Sequence, residues 1–143
     1  GAGAVQVASG DHEIRPLAGL WARLHLGRAC FVEVGADATR RLDDGAVVRL
    51  DERWARGALV AGCTAGRERL QVAAAVGPAV TRRDTAVTGA REWRATAVEA
   101  GVRYRAGFLL PLGERWEAGL LFGGATRGRD HDQEVVLQGG VRW

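Results

Sequence analysis

The residues of this 143-residue chain best suited to chemistry are few and sit in short polar stretches. Ser9, its single serine, is followed by Asp11, His12 and Glu13, the residue types of a hydrolytic triad. Nucleophile and base usually come from separate elements, so close neighbours rarely acquire triad geometry. The stretch reads first as a polar loop tip. Asp130, His131 and Asp132 form a second group, which with Asp11 and His12 could hold a divalent cation if the fold brought the segments together. Simple solvation accounts for both groups without an ion. Cys30 and Cys63 lack the clustered partners of a metal site. They leave two alternatives, a disulfide or two small thiols. The reading assigns no catalytic residue, no metal and no cofactor.

All 20 basic residues are arginine, and the formal charge is +3. Nucleic-acid binding usually shows a basic stripe interleaved with aromatics. Here acidic residues are interspersed with the arginines throughout, so nucleic acid is excluded as a partner. Arg40, Arg41, Arg82, Arg83 and Arg91, with Arg53 and Arg94, instead crowd at the ends of apolar segments. Their planar forks suit phosphate there.

The elements that must position these groups show in a period close to two, the spacing of a strand whose successive side chains point to opposite faces. Ala18, Leu20, Ala22, Leu24 and Leu26 alternate with Gly19, Trp21, Arg23 and His25. Val32, Val34, Ala36 and Ala38 alternate with Phe31, Glu33, Gly35 and Asp37. The clearest run is Val98 to Leu112, where Val102, Tyr104, Phe108 and Leu110 oppose Glu99, Gly101, Arg103 and Arg105. Further runs start near Arg56, Leu70, Trp116 and Val135, and with residues 2–9 the strands number eight. Trp54 and Trp93 fall off the apolar parity, which predicts bulges or later strand starts. Glycine turns at Gly27, Gly66 and Gly113 join alternate strands. The other connections, 10–15, 40–53, 82–92 and 127–133, read as longer polar loops. Size and pattern give one domain over residues 1–143.

One face of every strand is nearly free of charge; the other combines glycine with Arg23, Glu33, Glu99, Arg103, Glu117 and Arg142. A soluble barrel would put its large apolar side chains inward. Glycine beside long charged chains instead suits a narrow lumen, where Arg23, Arg103 and Arg142 would neutralise Glu33, Glu99 and Glu117. His25 would be a hydrogen-bonded lumen residue. The longest uncharged apolar stretch, Val72 to Thr81, is far shorter than the roughly 20 residues of a membrane-spanning helix. Strands closed into a barrel are the other solution that satisfies every backbone group in lipid. No charged-then-apolar leader opens the chain, so any secretory signal peptide is expected to have been removed.

As pattern over nearly the whole chain, the sequence resembles the small outer-membrane barrels of the OmpA/OmpX type. The terminus carries the resemblance most specifically: Leu137, Gly139, Val141 and final Trp143 stand at alternate positions, like the signal by which such proteins are recognised for membrane assembly. Gln138 departs from that pattern, standing where the family often has glycine. Trp116, Tyr104, Phe108 and Trp143 would form part of an aromatic girdle. The resemblance implies an all-β, eight-stranded antiparallel up-and-down transmembrane barrel with short periplasmic turns and longer extracellular loops. It implies a bacterial outer-membrane location, and a periplasmic environment in which a Cys30–Cys63 disulfide would persist. Expected partners are outer-membrane lipid, lipopolysaccharide, the barrel-assembly machinery and other envelope proteins. The function read is a structural anchor or an interaction and adhesion platform, not an open pore. Two alternatives stand beside it: a soluble barrel binding a small apolar ligand, and a lipid A-modifying barrel enzyme in which Ser9 or His12 would matter for turnover.

Overall fold

The computed structural model describes residues 4–10, 13–27, 29–67, 69–127 and 130–141. Alternating apolar and polar side chains leave each segment one stable solution, an extended strand that separates them onto two faces. There are eight strands: β1 (Ala4–Gly10), β2 (Glu13–Leu26), β3 (Cys30–Asp44), β4 (Arg49–Arg67), β5 (Leu70–Thr88), β6 (Trp93–Leu112), β7 (Trp116–Arg127) and β8 (Asp130–Val141). Each pairs antiparallel with its chain neighbours, and β1 pairs with β8 to close the barrel. Closure removes the sheet edges over the paired wall.

The register fixes which face is which. Leu20, Leu24, Leu59, Val72, Phe108 and Leu137 are all exposed on the outer wall, whereas Glu33, Arg56, Arg103 and Glu134 are buried inside. A slip of one residue in any strand would exchange these faces. Inside, bulk alternates with glycine across the ladder. Arg105 lies opposite Gly123, Arg103 opposite Gly77, Leu121 opposite Gly107 and Leu109 opposite Gly119. Ala73, Leu109, Leu121 and Val136 pack into one apolar cluster and Ala58, Val60 and Ala79 into another, so the lumen is filled.

The tight turns use the backbone freedom of glycine. Gly27 and Gly113 adopt φ of 76° and 74°, in the left-handed region that costs other residues energy. A second requirement arises at Gly77–Pro78. The β4–β5 ladder stops at Ala58↔Ala79 and resumes at Ala61↔Val76. Pro78 has no N–H to donate, and a side chain at Gly77 would collide with the Leu59 carbonyl oxygen and come within 2.7 Å of the Val60 Cα.

The connections differ from the sequence expectation. Segments 40–53 and 82–92 are not long loops. β3 runs on to Asp44 and β4 begins at Arg49, with the turn between them held by the Gly45 N–H donating to the Val48 carbonyl at 3.0 Å. β5 runs on to Thr88 and β6 begins at Trp93. Segments 10–15 and 127–133 likewise lie mostly within strands, β1 ending at Gly10 and β8 starting at Asp130. The physical reason is that a polar stretch wet on both faces can keep its ladder bonds while losing the apolar alternation. The asymmetry lies in strand length: β3 to β6 span 15, 19, 19 and 20 residues, while β7 and β8 span 12 each. Trp54 sits within an unbroken stretch of ladder, between Thr39 and Arg83, on the inner parity of β4; Trp93 opens β6.

Gly77→Ala should therefore lower stability by about 1–3 kcal/mol, the usual cost of overpacking. Gly57→Ala, where an added Cβ meets nothing within 4 Å, should change it little. Urea unfolding of both variants in detergent micelles checks the difference.

Candidate functional site: the lumen network and the arginine rim

The inward parity of six strands brings charged residues distant in sequence into one narrow space. Arg23 of β2 is held between two aromatic faces, 4.8 Å from the Trp21 ring centroid and 4.4 Å from that of Phe31. Its Nε and Nη2 donate to Glu33 Oε2 at 3.1 and 2.9 Å, and its Nη1 donates to Glu117 Oε1 at 3.0 Å. Arg105 Nη2 pairs with the other oxygen of Glu33.

Nearer the long-strand rim, four residues make a closed ring. Arg56 Nε donates to Asp37 Oδ1 at 3.1 Å and its Nη2 donates to Glu134 Oε2 at 2.6 Å. Arg103 approaches the same two carboxylates, its Nη1 2.6 Å from Asp37 Oδ2 and its Nε 2.9 Å from Glu134 Oε1. The two clusters together hold Arg23, Arg56, Arg103 and Arg105 against Glu33, Asp37, Glu117 and Glu134, a balanced set. Each member's side chain is less than a tenth exposed. Balance is what makes burial tolerable, since an unpaired buried charge costs several kcal/mol.

The residues read from sequence are distributed as follows. Arg23, Glu33, Arg103 and Glu117 enter the network, but Arg103 meets Asp37 and Glu134. Glu99 is half-buried on the inner face opposite Thr81. Arg142 and Trp143 lie outside the described residues; Leu137 and Gly139 face outward on β8, which ends at Val141. Asp37, Arg56, Arg105 and Glu134 complete the network without having been singled out. The first three share the inward parity, and Glu134 is one step along the parity of Val136 and Gln138.

Cys30 and Cys63 are direct ladder partners joined by a disulfide near the turn side. His25 sits at the turn-side end of β2, its ring centroid 6.4 Å from that of Phe31. Tyr104, Phe108 and Trp116 face outward. Ser9 pairs with Ile14 in the β1–β2 ladder and Glu13 opens β2, while Asp11 and His12 lie outside the described residues. His131 and Asp132 continue β8, pairing with Thr126 and Ala125. Among the described residues no group of three or more His, Cys, Asp or Glu could hold a metal ion.

The arginine rim is divided by the pleat. Arg40, Arg53 and Arg82 share the outer face of the extended strands, whereas Arg41 and Arg83, one residue on, share the inner face; Arg91 lies in the β5–β6 turn. Outside, Asp51 accepts from Arg40 Nε at 2.9 Å and Nη2 at 2.7 Å, and from Arg53 Nη2 at 3.1 Å. These bonds hold the Asp51 carboxyl well below the usual carboxylate range, and the same hydrogen bonds raise Arg40 in turn. Asp84 is lowered by the Thr96 hydroxyl, 2.6 Å away, and by Arg82. Depressed carboxyls contribute above their ordinary pKa and lose the contribution only as pH falls through the lowered value. The outer rim pairs therefore stay ionised through mildly acid pH. Inside, Arg83 stands 3.9 Å from Glu52 and Arg41 3.6 Å from Asp43.

No protein-family model matches the chain, and no curated protein sequence does. Among solved structures it is similar to Ail, the attachment invasion locus protein of Yersinia pestis, with a TM-score of 0.70 at 12% identity over 99% of this chain and 94% of that one. It is similar to the N-terminal β-barrel domain of Pseudomonas aeruginosa OprF, with a TM-score of 0.73 at 12% identity over 98% and 94%. Neisserial surface protein A gives a TM-score of 0.70 at 10% identity over 99% and 94%. The fold is that of the small outer-membrane barrels, the OmpA/OmpX type.

Removing one carboxylate of the ring should expose the cost of the rest. Glu134→Gln leaves Arg56 and Arg103 with Asp37 alone, and should destabilise the barrel by roughly 3–5 kcal/mol. Asp51→Asn on the exposed rim should leave the unfolding midpoint nearly unchanged, because exposed pairs are screened by solvent. Equilibrium unfolding in micelles checks both.

Proposed function

We propose that the chain resides in the bacterial outer membrane as a structural barrel with a closed lumen, and that it displays the extended part of β3–β6 as an interaction and adhesion platform. The observation that carries this reading is the run of strand beyond the paired wall. Among the described residues the β6–β7 ladder ends at Gly101↔Arg127, yet β6 begins at Trp93; the β2–β3 ladder ends at Leu17↔Thr39, yet β3 continues to Asp44. At about 3.3 Å per residue, β6 rises roughly 25 Å past its last β7 partner.

The two edges of this extension differ. Along β3, Arg40, Arg41, Asp43 and Asp44 crowd the edge with charge, a common guard against strand addition. Along β6, Ala95, Thr96, Ala97 and Val98 are small or β-prone, which suits an extended segment of a partner adding to the sheet. One of the Ail structures is a complex with the heparin analogue sucrose octasulfate. Here the exposed guanidinium groups of Arg40, Arg53 and Arg82 would serve polyanion contact, lipopolysaccharide included. Leu137, Gly139, Val141 and Trp143 would be read by the barrel-assembly machinery.

The filled lumen supports a non-conducting role, and the reading assigns no catalytic activity. Deleting Arg40–Arg53 and Arg82–Val98, which begin and end on ladder partners, and replacing each with an Asn-Gly turn removes the platform and leaves the wall. Adhesion of barrel-bearing bacteria to protein-coated and heparin-coated surfaces should fall about tenfold or more, with the barrel still folded and silent in planar-bilayer conductance. Undiminished adhesion would remove the platform from the account, and steady conductance of the intact barrel would remove the closed lumen.

A further inference from the structure

The outer wall is uneven in a specific place. Ala18, Ala38 and Ala55 are direct ladder neighbours on the outward parity of β2, β3 and β4, and the next row toward the turn side reads Leu20, Ala36, Gly57 and Val80. These two rows floor an open trough of about 1190 Å³, with the inner-parity Gly19, Asp37, Arg56 and Gln138 reached between them and Leu137 and Gly139 of β8 also contributing. That volume exceeds the roughly 300–1,000 Å³ of a typical small-molecule pocket. Side chains added at Gly57 would meet nothing within 4 Å, so the floor is open outward.

The rim end of the trough is basic. Arg82 lines it directly and is 62% exposed; the next outward row holds Arg40 and Arg53, opposite Asp84. Asp51 and Asp84 hold three of these guanidinium groups in place through the bonds described above. An apolar trough within the belt, opening onto fixed guanidinium forks at its outer boundary, is complementary to one kind of molecule: an acylated ligand carrying phosphate at its head.

We propose that this trough docks lipid A of lipopolysaccharide, an acyl chain lying along Ala36, Ala38, Ala55 and Gly57 while a glucosamine phosphate meets Arg82 with Arg40 or Arg53. The proposal rests on the reading that the long-strand rim faces outward from the outer membrane. It goes beyond a general basic rim, because it separates the outward arginines from Arg41 and Arg83 and makes the alanine floor part of the site. A second copy of this chain could also cover small residues, but it would have to match the arginine end with acidic groups. Phosphate supplies that match without requiring a particular partner surface.

The test is native mass spectrometry of the full barrel, released from micelles supplied with bis-phosphorylated lipid A or with phosphatidylglycerol. The intact chain should retain one lipid A in preference to phosphatidylglycerol. Gly57→Leu with Ala36→Leu, which fills the trough, should cut retention about tenfold, as should Arg82→Glu, while Arg83→Glu on the inner face should not. If the filled variant folds poorly, Ala55→Leu alone carries the same expectation. Retention unchanged by filling but lost on reversing Arg82 would overturn the docking trough and leave the basic rim standing. Equal retention of phosphatidylglycerol, or a dimer that the filling converts to monomer, would overturn lipid A as the occupant. A chain that folds in bilayers yet retains no lipid A would overturn this proposal alone; failure to fold in any bilayer would overturn the membrane reading as well.

Discussion

An eight-stranded barrel encloses a space barely wider than its own side chains, and here that space must accept charge. Four guanidinium groups and four carboxylates are buried inside, and none could be left unpaired without a cost comparable to a large share of a domain's stability. Room is made where glycine stands opposite Arg105 (Gly123) and Arg103 (Gly77), while Arg23 and Arg56 lie opposite carboxylates they bind, Glu33 and Asp37. Much else follows from that accommodation. The charged groups are paired inside and the large apolar groups are turned outward, the arrangement of a barrel wall that faces lipid.

The wall of this structure was legible in the sequence because its signal has a period of two and is carried by many residues at once. Leu20 to Leu26 and Val102 to Leu110 show it without ambiguity, and strand count and inner face follow from it. Network membership was legible only by parity: Arg23, Glu33, Arg103 and Glu117 stand out as charges on a glycine-rich face, but their partners depend on stagger around the barrel. Arg56 reaches Glu134 across 78 residues of sequence, and Arg105 reaches Glu33 across 72. No local pattern records such a distance. The extended rim is not legible in the sequence for a physical reason. Once a hairpin leaves lipid and is wet on both faces, Arg40 to Asp51 needs no apolar alternation to keep its ladder, so composition signals exposure while the backbone remains a strand.

The same geometry accounts for the distribution of functional groups. The pleat divides adjacent arginines, placing Arg40 and Arg82 outside and Arg41 and Arg83 inside, so a basic cluster in sequence becomes two surfaces in space. The unequal strands place four long neighbours, β3 to β6, side by side, so the extensions form one sheet rather than separate loops. The proposed anchorage, display and lipid contact would all follow from one register.

The central claim is that the apolar belt is built for lipid and the charges for the lumen. Far-ultraviolet circular dichroism of the refolded chain, recorded in plain buffer and again with micelles or lipid alongside boiled and unboiled gel samples, tests it most directly. The account predicts β-type ellipticity and a heat-dependent mobility shift only when an amphiphile is present. A chain fully folded in plain buffer would contradict it and return the protein to the soluble ligand-binding barrels.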